Sequence, residues 1–296
     1  MGLTLSAFAD EIDPDLQIQM DVLEQYGINQ IDIRSVGGKP ISKHSLHEAE
    51  EIKKKLEARH FKVTALGSVI GYIPVSDDFE DQISLLKHTL DIAGILDTNR
   101  VRMFSFILPA GEDPALYRDE VLARWRRFVE IAEDRGALLM HQNEPCTYGD
   151  TVARCLDLMR SLDSPWASLV FDPANFVLSG QSVKPAWETL RNYVSELSIK
   201  DADWSDHHIE PAGMGDGDLA DILADCVQSD FSGVLTIAPQ LSHSPCMDKL
   251  DFGQDTAALP EGGSQKFDIA VTALINLLSE LSFEPHKDPF KTEAQV

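Results

Sequence analysis

Short apolar runs alternate with longer amphipathic stretches along this chain. Leu3-Thr4-Leu5-Ser6-Ala7-Phe8 predicts a first strand, and the apolar positions Leu16, Ile18, Met20, Val22 and Leu23 suit a helix from Pro14 to Tyr26, capped by Asp13 and stopped by Gly27. Strand two is Gln30–Arg34. Ser45 with Glu48 forms a capping-box pattern opening a helix to Leu56. Strand three is Lys62–Gly67, followed by a helix from Phe79 to Leu96. Strand four is Arg100–Ser105, with a helix from Leu116 to Asp134. Strands at Ala137–His141, Ser168–Asp172, Glu196–Lys200 and Gly233–Ile237 follow. Their helices are Thr151–Leu162, Pro185–Tyr193, Leu219–Gln228 and Phe267–Leu281.

Strict alternation of strand and helix calls for a parallel sheet, because parallel strands need crossovers. Eight such units predict an α/β chain folded as a (β/α)8 TIM barrel. The expectation is a single domain over 1–283 with a polar, frayed tail at 284–296. An open doubly wound sheet is the alternative; the lack of GxGxxG after strand one counts against it.

Composition narrows the functional classes. The 49 Asp+Glu against 25 Lys+Arg give a formal charge of -24, which repels phosphate backbones and anionic lipid, so neither nucleic acid nor membrane is an expected partner. Four cysteines (Cys146, Cys155, Cys226 and Cys246), with no CxxC, read as a reduced, cytoplasmic protein. No apolar run approaches the length of a membrane span. Met1-Gly2-Leu3-Thr4-Leu5-Ser6 matches a myristoylation pattern, but the same residues begin the first apolar strand.

In a barrel, chemistry belongs at the C-terminal ends of the strands. Those ends carry Asp10-Glu11, Arg34-Ser35, Gly67-Ser68, Ser105-Phe106, His141-Gln142-Asn143-Glu144, Asp172-Pro173-Ala174-Asn175, Lys200-Asp201-Ala202-Asp203 and Ala238-Pro239-Gln240. The words Phe8-Ala9-Asp10-Glu11, His141-Gln142-Asn143-Glu144, Tyr148-Gly149-Asp150-Thr151, Phe171-Asp172-Pro173-Ala174-Asn175-Phe176, Ile199-Lys200-Asp201-Ala202 and Pro211-Ala212-Gly213-Met214-Gly215-Asp216-Gly217 fall about one per strand. In this order the chain resembles the xylose-isomerase-like barrels of the sugar-phosphate isomerase/epimerase group, from about residue 3 to 282.

The resemblance implies a divalent ion, Mn²⁺ or Mg²⁺, that polarises a sugar carbonyl or hydroxyl beside two proton-shuttling glutamates. It also implies where the ligands fall. The strand-six Asp is Asp172. The strand-five Glu position holds Gln142, the strand-seven His position Ser198, and the strand-eight Glu position Ala238. An amide takes no proton at neutral pH and a methyl offers no oxygen, so most of the family's ligands are absent.

Each candidate also has a plainer reading. Asp172 is a ligand or the holder of an Asp-Pro-Ala-Asn turn. Lys200 and Asp201 form a salt-bridged pair or bind a sugar hydroxyl. Glu144 is a substitute carboxylate or points away. His141, Cys146, His207, His208, His243 and Cys246 are a softer, zinc-like set or solvated bystanders. Gly213–Asp218 is a tight turn with Asp218 capping the next helix, not a phosphate cradle. Phe8, Tyr72, Phe106 and Trp204 stack on a sugar or close the barrel.

The expectation is a protein that acts on or binds a small sugar or polyol through Gln142, Glu144, Asp172, Asn175, Ser198, Lys200, Asp201 and Gln240. If active, it is an isomerase, epimerase or dehydratase. The alternative is a catalytically inactive barrel that binds a sugar or a partner protein. A homo-oligomer is a further expectation. A DNA-repair nuclease, which shares the fold, would need a His- and carboxylate-rich metal cluster that this chain lacks.

Overall fold

The computed structural model describes residues 2–229, 231–240 and 263–281. Eight strands form the barrel: β1 Thr4–Ala7, β2 Gln30–Ile33, β3 Lys62–Gly67, β4 Arg100–Met103, β5 Leu138–Gln142, β6 Ala167–Phe171, β7 Val194–Ile199 and β8 Val234–Ile237. All neighbouring pairs are parallel, in the order β1-β8-β7-β6-β5-β4-β3-β2. A parallel bridge from Phe8 to Asp32 brings β1 against β2 and joins the two ends of the sheet.

The helices are α1 Leu16–Gln25, α2 Leu46–Glu57, α3 Phe79–Ile95, α4 Arg118–Arg135, α5 Val152–Leu162, α6 Pro173–Leu178, α7 Val183–Leu190, α8 Leu219–Gln228 and α9 Ser264–Glu280. The Ser45–Glu48 capping box opens α2 as its sequence predicts. Gly136, at φ 63, closes α4 in the left-handed conformation that glycine adopts without a Cβ penalty. Three local expectations are corrected. Asp15, not Asp13, caps α1, accepting from Gln17 N, while Asp13 accepts from Asp15 N one step earlier. Asp218 sits at the start of α8 in a left-handed conformation and makes no cap bond; its carboxylate accepts from Lys184 N instead. Asp-Pro-Ala-Asn is not just a turn: Asp172 accepts from Asn175 N and so caps the short buried helix α6, which has Pro173 at its start.

The period-two alternation of the strands sorts their side chains between two environments. Ile31, Ile33, Val101, Met103, Leu139, Leu169, Phe171, Leu197, Ile199, Leu235 and Ile237 face outward and join the main core under the helices. The lumen has only a small apolar cluster of Ala65, Met140 and Val170. The rest of it is polar, contrary to the expectation of apolar strands. Asp32, Arg102, Glu196 and Thr236 are all essentially inaccessible to solvent.

Candidate functional site

The floor of the candidate site is that polar lumen. Asp32 Oδ1 accepts from Ser6 Oγ at 3.0 Å and from the Thr64 hydroxyl. Thr236 Oγ1 lies 3.0 Å from Asp32 Oδ2 and 2.9 Å from Glu196 Oε1. One hydroxyl has one proton, so it cannot donate to both carboxylates; it accepts from whichever holds a proton of its own. Burial first, and then the negative charge of Glu196, push the Asp32 carboxyl well above the usual carboxylate range.

Two guanidiniums enter the same space. Arg100 Nη2 bonds Ser195 O at 3.1 Å and Glu196 Oε2 at 3.3 Å. Arg102 is 1% exposed, its Nε lies 3.1 Å from Glu196 Oε1, and its Cζ sits 4.5 Å from the centre of the Phe8 ring. Arg34 stands over the same ring at 5.0 Å and pairs with Asp10 at 2.8 Å and Glu11 at 3.3 Å. Phe8 therefore serves as a platform between two cations.

Above this floor the predicted site residues converge. Lys200 Nζ donates to Asn175 Oδ1 and Gln240 Oε1, each at 2.9 Å, and pairs with Asp172 Oδ2 at 3.1 Å. Gln142 Nε2 donates to the same Asp172 oxygen at 3.0 Å. Asn143 Nδ2 donates to Asp172 O, and Asn143 Oδ1 accepts from Asp172 N. Gln240 N donates to Glu11 Oε2 at 2.7 Å, linking β8 back to β1. Burial raises the Glu11 carboxyl even though Arg34 opposes the shift.

Glu144 does not point away. It is buried and accepts from Asn175 Nδ2 at 2.7 Å. Burial raises its pKa to about 7, with Lys200 and Arg102 pulling it down and Asp172 pushing it up. Ser198 lies at an inward position with its hydroxyl buried and without a hydrogen-bond partner among the described residues. Its register neighbour on β8 is Thr236, and Ala238, just past the end of that strand, is buried too.

Other expectations are redistributed. Lys200 and Asp201 do not pair. Lys200 follows the end of β7 and turns to Asp172, whereas Asp201 accepts from the backbone of Ala202, Gly213 and Gly217 to hold the 213–217 turn. His141 faces outward, bonded to Ser105 Oγ at 2.9 Å and packed on Trp125; burial lowers it to about 3. Cys146, His207 and His208 are exposed. Among the described residues no three His, Cys, Asp or Glu side chains could hold a metal ion. His243 and Cys246 lie outside the described residues, as does the 284–296 tail. Phe106 packs among Phe79, Phe128 and Arg124, and Tyr72 against Phe104, so both close the barrel wall. Trp204 borders a separate recess of about 420 Å³ with Asp216, Asp218 and Asp221. Arg102 is the site residue that sequence reasoning did not single out; Glu11 and Arg34 were placed only at strand ends, and Phe8 only among the aromatics. The available signal was charge inside strands: Arg100 and Arg102, Asp32 and Glu196 occupy every second, inward position.

The model of the family described as "Xylose isomerase-like TIM barrel" matches residues 20–255. The chain belongs to that family. It is 22% identical over 170 residues to a 3-dehydroshikimate dehydratase of Bacillus anthracis, a match covering 56% of this chain and 61% of that protein, less than two thirds of its length. The crystal structure of the probable 3-DHS dehydratase AsbF from Bacillus anthracis superposes with a TM-score of 0.66 at 16% identity, covering 80% of this chain and 92% of the other. A D-allulose 3-epimerase from Methylomonas sp. superposes with a TM-score of 0.70 at 15% identity, covering 94% and 97%. At such identities the structural likeness shows the fold. Sugar isomerases and epimerases are thus among the structural neighbours, as the sequence words imply. Among the described residues, no helix is long and apolar enough to cross a membrane.

Proposed function

We propose that this barrel binds a small sugar or polyol at the C-terminal ends of its strands, using its own hydrogen-bonding groups, and that its family's divalent-metal site is largely lost. The observation that carries this reading is the state of Asp172. Its carboxylate, the single family-type ligand present, already accepts from Lys200, Gln142 and Asn175 N. The other three ligand positions offer an amide, an unbonded hydroxyl and a methyl. One carboxylate with neutral neighbours leaves a hard dication poorly neutralised, and the ammonium of Lys200 repels it. The donor set does not fit a divalent ion.

The remaining groups support recognition of a polyhydroxylated ligand. Gln142, Gln240, Ser198 and Asn175 combine donors and acceptors within one cluster. Lys200 has all three protons engaged, so it positions Asn175, Gln240 and Asp172 and does not itself polarise a substrate. Glu144, raised to about 7, exists in both protonation states near neutral pH. It can hold or release a proton at its carboxyl oxygens, which favours residual proton transfer over a wholly inert pocket.

The test combines elemental mass spectrometry with calorimetric titration of neutral hexoses, pentoses and alditols, with and without EDTA. Sugar binding that EDTA leaves unchanged, with no stoichiometric Mn²⁺ or Mg²⁺ retained, supports the reading. One tightly held divalent ion per chain, or EDTA-sensitive turnover, overturns the metal-free part. No binding by any of these ligands or their acidic forms overturns the sugar part.

A further inference from the structure

The Arg102 guanidinium is the least satisfied group in the barrel. It is buried, its Nε approaches Glu196 out of hydrogen-bond alignment, and Nη1 and Nη2 have no hydrogen-bond partner among the described residues. A buried guanidinium that leaves its fork unmatched costs several kcal/mol, on the order of what an acceptor would restore. Its charge is also unmatched. Arg100 and Arg102 face Glu196 and Asp32, and the Thr236 geometry requires a proton on that carboxylate pair. Set against that pair, the two guanidiniums are in excess, and Glu144 is a further carboxylate within electrostatic reach of Arg102.

A second unpartnered donor lies on β7, the strand that carries Glu196. Ser198 is the next inward position above Glu196 on β7, about 7 Å higher along the strand, and its buried hydroxyl is unbonded. Ala238, just past the end of β8, contributes only a methyl where the family resemblance implies a glutamate.

We propose that the ligand of this site is an acidic sugar or hydroxy acid whose carboxylate lands on the Arg102 fork and the Ser198 hydroxyl. The inference rests on the sugar-binding reading above and names its ligand class. A planar monoanion fits the guanidinium in a bidentate manner. A phosphate dianion, with its higher charge, would meet stronger repulsion from Glu196 and Glu144.

The experiment titrates the full chain by calorimetry with D-gluconate, D-glucose, sorbitol and D-glucose 6-phosphate, repeated with galactonate and its neutral counterparts. Gluconate or galactonate should bind about 10- to 100-fold tighter than the matching alditol, the range expected for one charged bidentate hydrogen bond. Arg102→Met should abolish that preference for the acid over the alditol. Arg102→Lys should keep only part of it, and Ser198→Ala should weaken the acid more than the alditol; these two variants decide the matter if Arg102→Met fails to fold. Equal affinity for acid and alditol overturns the inference and leaves the sugar-binding reading standing. Preferential, Arg102-dependent binding of the 6-phosphate overturns the carboxylate assignment. Binding of none of these ligands defeats both readings.

Discussion

The Lys200 ammonium lies 3.1 Å from Asp172 Oδ2, with both side chains almost fully buried. This ion pair joins β7 to the start of α6 in the place where the family resemblance puts a metal. A buried pair of this kind is costly to break on one side only, because the remaining charge stays uncompensated. Lys200→Met should therefore lower stability by about 3–5 kcal/mol. The double variant with Asp172→Asn should recover a large part of the loss. Urea unfolding of the two single variants and the double reads the coupling directly; strictly additive losses would mean the pair is not a unit.

Gln142→Glu, Ser198→His and Ala238→Glu together rebuild the four-ligand pattern around Asp172. The triple variant should retain about one Mn²⁺ per chain after dialysis, where the parent retains little, because two new carboxylates outweigh the Lys200 charge. Elemental mass spectrometry on material with an unchanged circular dichroism spectrum makes the comparison. A folded triple variant without Mn²⁺ would mean these positions do not converge as ligands.

Stability should fall as pH rises from about 5 to 9. The folded chain holds protons on Asp32 and Glu144 that the unfolded chain releases near the ordinary carboxylate values of 3.8 and 4.5. The folded state thus binds more protons over this window, and its advantage, complete at lower pH, is lost as pH climbs through about 7 for Glu144 and higher for Asp32. Calorimetric melting at pH 6 and pH 9 tests this. Asp32→Asn, which mimics the protonated carboxyl, should melt with a shallower pH dependence; an identical slope would remove Asp32 from the account.

Gly149 sits against the outward face of β5. A Cβ there would lie 2.3 Å from His141 Cε1, and Gly149 N donates to Ser105 Oγ at 2.7 Å, which His141 also engages. Gly149→Ala should cost about 1–3 kcal/mol through overpacking. Hydrogen exchange should speed at Gly149 and the neighbouring amides of the 148–150 turn. Unchanged stability would show that the His141 ring can swing clear of its Ser105 bond.

The repeating strand–helix cadence was enough to give the barrel, its eight strands and most helix boundaries, because crossover connections and period-two alternation leave few other arrangements. Ser45 and Glu48 announced their own cap. The departures from the family's ligand pattern at Gln142, Ser198 and Ala238 were also legible, since they are matters of residue identity. Partnership was not. Lys200 and Asp201 are adjacent in sequence, and only the folded backbone beyond β7 sends one to Asp172 and the other to the 213–217 backbone. Glu144 lies beyond the end of β5, and its inward turn depends on Asn175 arriving from α6, a helix that the Asp-Pro signal hid. His141 and Gln142 are neighbours on opposite faces, so one is locked under α4 while the other reaches the site. Arg102 read as one more strand residue; closure of the barrel put its guanidinium beside Phe8 and Glu196, which belong to strands on other sides of the lumen. Chain-local chemistry fixes elements and their order. The pairing of charges across a closed sheet depends on distances between residues far apart in sequence, and those exist only once the barrel has formed.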